Sequence, residues 1–158
     1  MSLAPPWRPT AVISDIDGTL TDRHKILDLG AIEGLRTLEA ANIPVVLATG
    51  SVTPTAQSLA QFIGTTGPVI SEGGGTIRWP QRELEAHLAD GGRAREASEW
   101  LAERLPSLDP SGIESNQWRT TEWCLEPHHD AEQIESLLMD SPFSDLAVVA
   151  TGFAIHLA

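Results

Sequence analysis

The sequence predicts an α/β protein: a parallel sheet with helices between its strands, followed by a smaller α+β lobe. Three observations predict it. An apolar run at 11–14 leads into Asp15 and Asp17, and a second at 45–48 leads into Thr49-Gly50-Ser51. A helical pattern lies between them, and a spacing of about thirty residues suits a right-handed βαβ crossover. Beyond residue 80 the pattern becomes helix, strand, strand, and then the same again.

Residues 1–9 hold two adjacent prolines and one Arg without the apolar stretch of a signal peptide, and read as a loose lead-in. The run at 11–14 reads as a parallel strand buried on both faces. Asp15 and Asp17 then fall at the carboxyl edge of the sheet, where open α/β sheets bind ligands. Two carboxylates this close repel each other. A divalent cation relieves that repulsion, and Mg²⁺ favours a few hard oxygen ligands while retaining waters. Gly18 permits a sharp turn, and Thr19 is expected to tie the loop through its hydroxyl. An ordinary strand-to-turn junction is the plainer alternative.

Residues 19–28 are polar and irregular and contain Lys25, the single lysine of the chain. A helix is expected over 29–41, with Ile32, Leu35 and Leu38 on one face, Asn42 as its C-terminal cap and Pro44 as its stop. After the strand at 45–48, Thr49 and the N–H of Gly50 precede a helix at 55–63. A hydroxyl and backbone N–H groups ahead of a helix form an anion site, although an ordinary N-cap would use the same residues. A third strand at 69–71 runs into Glu72-Gly73-Gly74-Gly75 and a fourth strand at 76–79. The glycines read as a turn that also allows a ligand close to the backbone.

The polar, Gly-rich stretch over 80–92 reads as a boundary, giving domains 1–80 and 81–158. In the second, helices are expected at 93–105 and 130–139, and strands at 113–118, 120–125, 146–150 and 153–157. Two αββ units would make an antiparallel sheet with both helices on one face. His156 alternates with Ile155 and Leu157, so it faces the other side. Cys124 reads as a small buried hydrophobe. Trp118 and Trp123 read as packing residues, and His128-His129 as an exposed loop pair.

Composition excludes several classes. The chain has 158 residues, 41% of them apolar, enough for a real core, with no run long enough to span a bilayer. Its 22 acidic residues against 10 basic ones give a formal charge of −12, which argues against nucleic acid or an anionic membrane as partner. With one cysteine no internal disulfide is possible, and a reducing cytoplasm is expected.

Taken together, Asp-Ile-Asp-Gly-Thr-Leu-Thr at 15–21, Leu-Ala-Thr-Gly-Ser at 47–51 and a cap after the third strand resemble the haloacid dehalogenase (HAD) superfamily. Within it the chain is similar to phosphatases with an α/β cap, nearest the archaeal-type phosphoglycolate phosphatases. Asn116-Gln117-Trp118-Arg119 and the closing stretch at 152–157 resemble that cap. The resemblance implies a HAD-like Rossmannoid core and Asp15 as the nucleophile that takes up the phosphoryl group. It also implies Asp17 as general acid and then base, Mg²⁺ held by Asp15 and the Asp17 carbonyl, and Thr49 and Gly50 on phosphoryl oxygens. Arg119 is either the cap's ligand for a substrate carboxylate or a structural arginine.

The family also has a Lys and an acidic pair beyond the cap, which this chain does not supply; Asp140 and Asp145 fall between a cap helix and strand. Glu72-Gly73-Gly74 lacks the Asn that the family usually has after its third strand. The expectation is therefore an N-terminal part of a longer phosphatase of small phosphorylated metabolites, itself of little or no turnover, with the Asp15 strand left as a sheet edge that a homo-oligomer could cover. A non-catalytic binding protein of the same fold and a sugar-phosphate phosphatase are the alternatives.

Overall fold

The computed structural model describes residues 8–158; residues 1–7, most of the expected lead-in, lie outside the described residues. The chain forms two compact units that divide between Glu85 and Ala86.

β1 (Val12–Asp15), β2 (Val45–Ala48), β3 (Val69–Ser71), β4 (Thr76–Trp79) and β5 (Leu84–His87) form one sheet in that spatial order, and the division falls within β5. The first three strands are parallel and β4 runs antiparallel to β3. Helix α1 (Leu29–Ala40) joins β1 to β2, and α2 (Thr53–Ile63) joins β2 to β3. Asp28 caps α1 through the Ala31 N–H, and Gly64 ends α2 in the left-handed region at φ 89°. Asn42 is also left-handed, just past the end of α1. Ile16, Leu20, Leu35, Val45, Leu47, Ala56, Ala60, Ile63 and Val69 make the core. β2 is the best covered strand, with Val45 and Leu47 fully buried.

One expectation is corrected here, and one strand was not foreseen. β1 is not buried on both faces: it is the first strand of the sheet, and Ile13 is 67% exposed. An apolar run does not say how many faces will be covered, since that depends on neighbouring elements. Strand β5 forms in the stretch read as a polar boundary, where Arg78 of β4 pairs with Glu85. Cross-strand charges there replace the apolar pattern that would have marked a strand.

The second unit contains α3 (Gly91–Ala102), β6 (Trp123–Leu125), α4 (Ala131–Met139), β7 (Val148–Ala150) and β8 (Ile155–Leu157). The three strands form an antiparallel sheet in the order β6-β8-β7. Its core holds Ala94, Ala97 and Leu101 of α3, Ile134 and Leu138 of α4, and Leu125, Ile155 and Leu157 of the sheet. The expected strand at 113–118 is instead a 3₁₀ turn at Glu114–Trp118, and the strand at 120–125 shortens to β6. The first αββ repeat is therefore incomplete.

The reason lies in Asn116, which is buried. Its Nδ2 donates to Ser111 O (2.9 Å) and Cys124 O (2.8 Å), and its Oδ1 accepts from Cys124 N (3.0 Å). One side chain thus takes ladder bonds that a neighbouring strand would have made with β6. Gly112, at φ 60°, makes the approach possible: a Cβ there would lie 2.0 Å from Cys124 O.

Candidate functional site

The site begins where β1 ends. Asp15 is the last residue of the strand, and Ser14 Oγ donates to its carbonyl (2.9 Å). The chain then folds tightly on itself, because the N–H groups of Thr19, Leu20 and Thr21 all donate to Ile16 O. Gly18 takes φ 80°, and its N–H donates to Thr21 Oγ1 (3.1 Å). The hydroxyl that ties this loop is that of Thr21, not of Thr19 as expected. Thr21 is buried whereas Thr19 is exposed, so only the former lies within reach of the loop's backbone.

From Thr21 the chain makes a short hairpin, with an antiparallel bridge between Thr21 and Leu27. Asp22 Oδ1 accepts from the N–H groups of His24 and Ile26, and Lys25 at the tip is left-handed, at φ 63°. That tip returns the lysine to the acidic pair: Lys25 Nζ lies 2.7 Å from Asp17 Oδ1. The side chains are 68% and 40% exposed, so solvent screens the pair and little holds it closed.

The end of β2 supplies the second half. Thr49 is buried; its N–H donates to Ile70 O (2.9 Å), and its Oγ1 accepts from the Ser51 N–H (3.0 Å), which leaves the hydroxyl proton to donate. The Glu72–Gly74 turn after β3 is drawn onto this strand end. Gly73 N donates to Thr49 O (3.2 Å) and Glu72 N to Ser51 O (3.0 Å). Glu72, Gly73 and Gly74 all have positive φ, a costly conformation for Glu72.

Asp15, Thr49, Gly50, Gly73 and Gly74, with Ala48 and Ile70, line an open cavity of about 300 Å³ at the carboxyl ends of β1–β3. The structure therefore brings together three of the sequence-predicted residues, Asp15, Thr49 and Gly50. Asp17 is one turn away, with its carboxylate on Lys25. The glycines after β3 join the site as the turn-and-approach reading allowed. Two larger hollows exist, of about 440 Å³ beside Trp123 and about 420 Å³ beside Gln57, but neither brings a strand-end carboxylate together with a Thr-Gly strand end.

Asp15 and Asp17 offer hard oxygen donors, which suit Mg²⁺, an ion that keeps several waters and binds through one or two carboxylates. Among the described residues no third His, Cys, Asp or Glu completes a three-ligand group with them. Their donor chemistry fits the cation with the remaining positions left to water and phosphate.

Within the second unit, Arg119 is engaged as the structural reading had it. Its side chain is 2% exposed and pairs with Glu122. Trp123 Nε1 donates to Pro110 O (2.9 Å), and Cys124 is buried. His128 and His129 stack with centroids 4.1 Å apart. Partial burial lowers the His129 pKa, and the neighbouring His128 lowers it further.

A parallel sheet with a carboxylate at the end of its first strand and a Thr-Gly turn at the end of the next, both on one cavity, is an α/β fold with its ligand-binding edge formed by strand carboxyl ends. The chain belongs to the haloacid dehalogenase-like hydrolase family, whose model matches residues 12–135. Among its relatives is a phosphoglycolate phosphatase of Methanosarcina mazei, 38% identical over 93% of this chain and 62% of the relative. Another, of Archaeoglobus fulgidus, is 33% identical over 96% of this chain and 63% of the relative. A protein of Thermoplasma acidophilum of known crystal structure superimposes with a TM-score of 0.78 at 27% identity, covering 94% of this chain and 63% of the other. The chain thus spans a little under two thirds of the length of these relatives. No helix among the described residues is long and apolar enough to cross a membrane.

Proposed function

We propose that the protein carrying this chain is a Mg²⁺-dependent phosphatase of small phosphorylated metabolites, with phosphoglycolate the first substrate to test. The observation that supports it is the single cavity shared by the Asp15 carboxylate, Thr49 and Gly50. A phosphoryl group seated there would face a nucleophile on one side and donors on the other. Asp15 attacks phosphorus and the bond to the alcohol oxygen breaks, giving an aspartyl-phosphate. Asp17 protonates the departing alkoxide, then takes a proton from the water that cleaves the intermediate. The Thr49 hydroxyl and the backbone at Gly50 hold the equatorial oxygens as their charge develops. Mg²⁺ on Asp15 and the Asp17 carbonyl would offset the phosphate's negative charge. Lys25 is close enough to Asp17 to exchange between that carboxylate and an incoming anion.

The name of these relatives, phosphoglycolate phosphatase, supports phosphoglycolate as substrate, and the lone cysteine supports a reducing, cytoplasmic setting. Phosphate release from phosphoglycolate with Mg²⁺ by the whole protein is the decisive measurement. Asp15→Asn is expected to lower turnover by about 10⁴-fold or more, and Asp17→Asn by about 10²–10⁴-fold. Turnover unchanged by Asp15→Asn would refute the reading. Magnesium-dependent phosphate binding with no turnover in the whole protein would favour the non-catalytic alternative.

A further inference from the structure

We propose that Glu122, Cys124 and His156 form a binding site for a borderline-soft divalent cation, Zn²⁺ in the first instance. The site lies within the second unit and is independent of the acidic pair at Asp15 and Asp17. Register creates it. Cys124 of β6 stands opposite His156 of β8, and their neighbours Leu125, Ile155 and Leu157 point into the apolar core. Alternation along both strands therefore sends the thiol and the imidazole to the opposite sheet face. Glu122, one residue before β6, reaches the same point.

His156 Nδ1 lies 3.3 Å from Cys124 Sγ and 2.7 Å from Glu122 Oε2. The three donor atoms all fall within 4.8 Å of one another, and all three residues are buried. Zinc bonds of about 2.0–2.3 Å in a tetrahedron require donors about 3.3–3.8 Å apart. The sulfur–nitrogen separation of 3.3 Å falls in that range, the nitrogen–oxygen separation of 2.7 Å is about half an ångström short of it, and all three donors lie within 4.8 Å of one another. A thiolate with an imidazole selects Zn²⁺ over Mg²⁺, unlike the all-oxygen donors of the first unit.

The surroundings also orient the ligands. Arg119 holds one carboxylate oxygen, Oε1, and Oε2 is the oxygen that faces His156. Thr151 Oγ1 donates to Ala154 O and sits 3.2 Å from His156 Nε2. With the hydroxyl proton committed to Ala154 O, Thr151 Oγ1 is placed to accept from an Nε2–H, the arrangement that leaves Nδ1 to a metal. Binding would expel the thiol proton and any proton shared between Nδ1 and the carboxylate. Thiolate and carboxylate then offset the cation's charge, and the fourth position falls to water or a small anion.

Cobalt titration tests this directly. Cys124 is the chain's single cysteine, so a thiolate-to-Co²⁺ charge-transfer band can arise from this chain only here. Added to the reduced, metal-free protein, Co²⁺ is expected to give that band with tetrahedral visible absorption at one equivalent. Zn²⁺ should bleach it and raise the melting temperature. Cys124→Ser should remove the band, and His156→Gln should weaken Co²⁺ binding at least tenfold. No band in the wild-type protein at saturating Co²⁺ would overturn the proposal, whether or not the variants fold. A spectrum unchanged by Cys124→Ser would do the same. Mg²⁺ hydrolysis assays do not bear on the outcome, so its failure would leave the phosphatase reading standing.

Discussion

The carboxyl edge of β1–β3 and the polar cluster on β6 and β8 both gather acids beside a basic side chain, yet they are built in opposite ways. Asp15 and Asp17 are exposed, and the one ion pair among them, with Lys25, is open to water. Glu122 is buried, with Arg119 on one oxygen and His156 on the other. The difference follows from solvation. An exposed carboxylate keeps its water and stays available to a ligand, so it needs no permanent partner. A buried one must be compensated on both oxygens at all times, or its desolvation would oppose folding. The first region therefore reads as a place for chemistry on something that arrives. The second holds its charges in a fixed arrangement that only a cation of matching size could re-form.

Substitution should separate the two regions, and the largest effect expected is on turnover alone. Asp15→Asn, for which a loss of about 10⁴-fold or more is expected, should leave stability within about 0.5 kcal/mol. Chemical denaturation of the same preparation checks the second half; a large loss of stability would break the contrast. Glu122→Ala should do the reverse, costing about 3–5 kcal/mol by leaving Arg119 and His156 buried without their carboxylate. Urea unfolding measures it, and a cost below about 1 kcal/mol would mean that water already reaches the cluster.

Gly112→Ala should cost roughly 2 kcal/mol or more, because Ala resists φ 60° and its Cβ would strike Cys124 O. The same unfolding experiment reads it, and should also show β6 loosening by faster amide exchange. Lys25→Ala should change stability by less than about 1 kcal/mol, as an exposed pair gains little over hydration. The smallest effect concerns Arg93 and Asp145, both on the surface. The hydrogen bond and charge of Arg93 hold the Asp145 carboxyl below its ordinary pKa. In acid the unfolded chain then binds this proton before the folded one does. Stability from the pair is present above about pH 3.9 and declines as pH falls through the folded value. Asp145→Asn should flatten that part of a pH–stability curve, and added salt should shrink the difference.

Much of the first region was legible because its signals are contiguous. Asp15, Asp17 and Gly18 sit within one strand and its turn, and Thr49-Gly50 ends the next apolar run. A parallel βαβ crossover then places both strand ends on one edge of the sheet. The second region was not legible in this way. Cys124 passed for a small buried hydrophobe and His156 for a residue on the other face of its strand; both are buried, and both lie on the face away from the apolar core. Their meeting depends on a pairing register across some thirty residues of chain, and no local pattern encodes register between distant strands. The segment at 113–118 misled for a related reason: its spacing suits a strand, but Asn116 supplies the hydrogen bonds with a side chain. Lys25 was conspicuous as the single lysine, while its partner depended on a left-handed residue at a hairpin tip.

By itself, the sequence determined the α/β order of elements, the two apolar cores and the acid pair at the first strand end, because periodicity and turn chemistry act between near neighbours. Tertiary structure alone decided that Asp15 shares a cavity with Thr49 and the Gly73-Gly74 turn, that β1 has a bare face, and that Glu122, Cys124 and His156 meet. Those outcomes depend on which surfaces are covered and how strands align, and both are properties of the packed chain rather than of any short stretch of it.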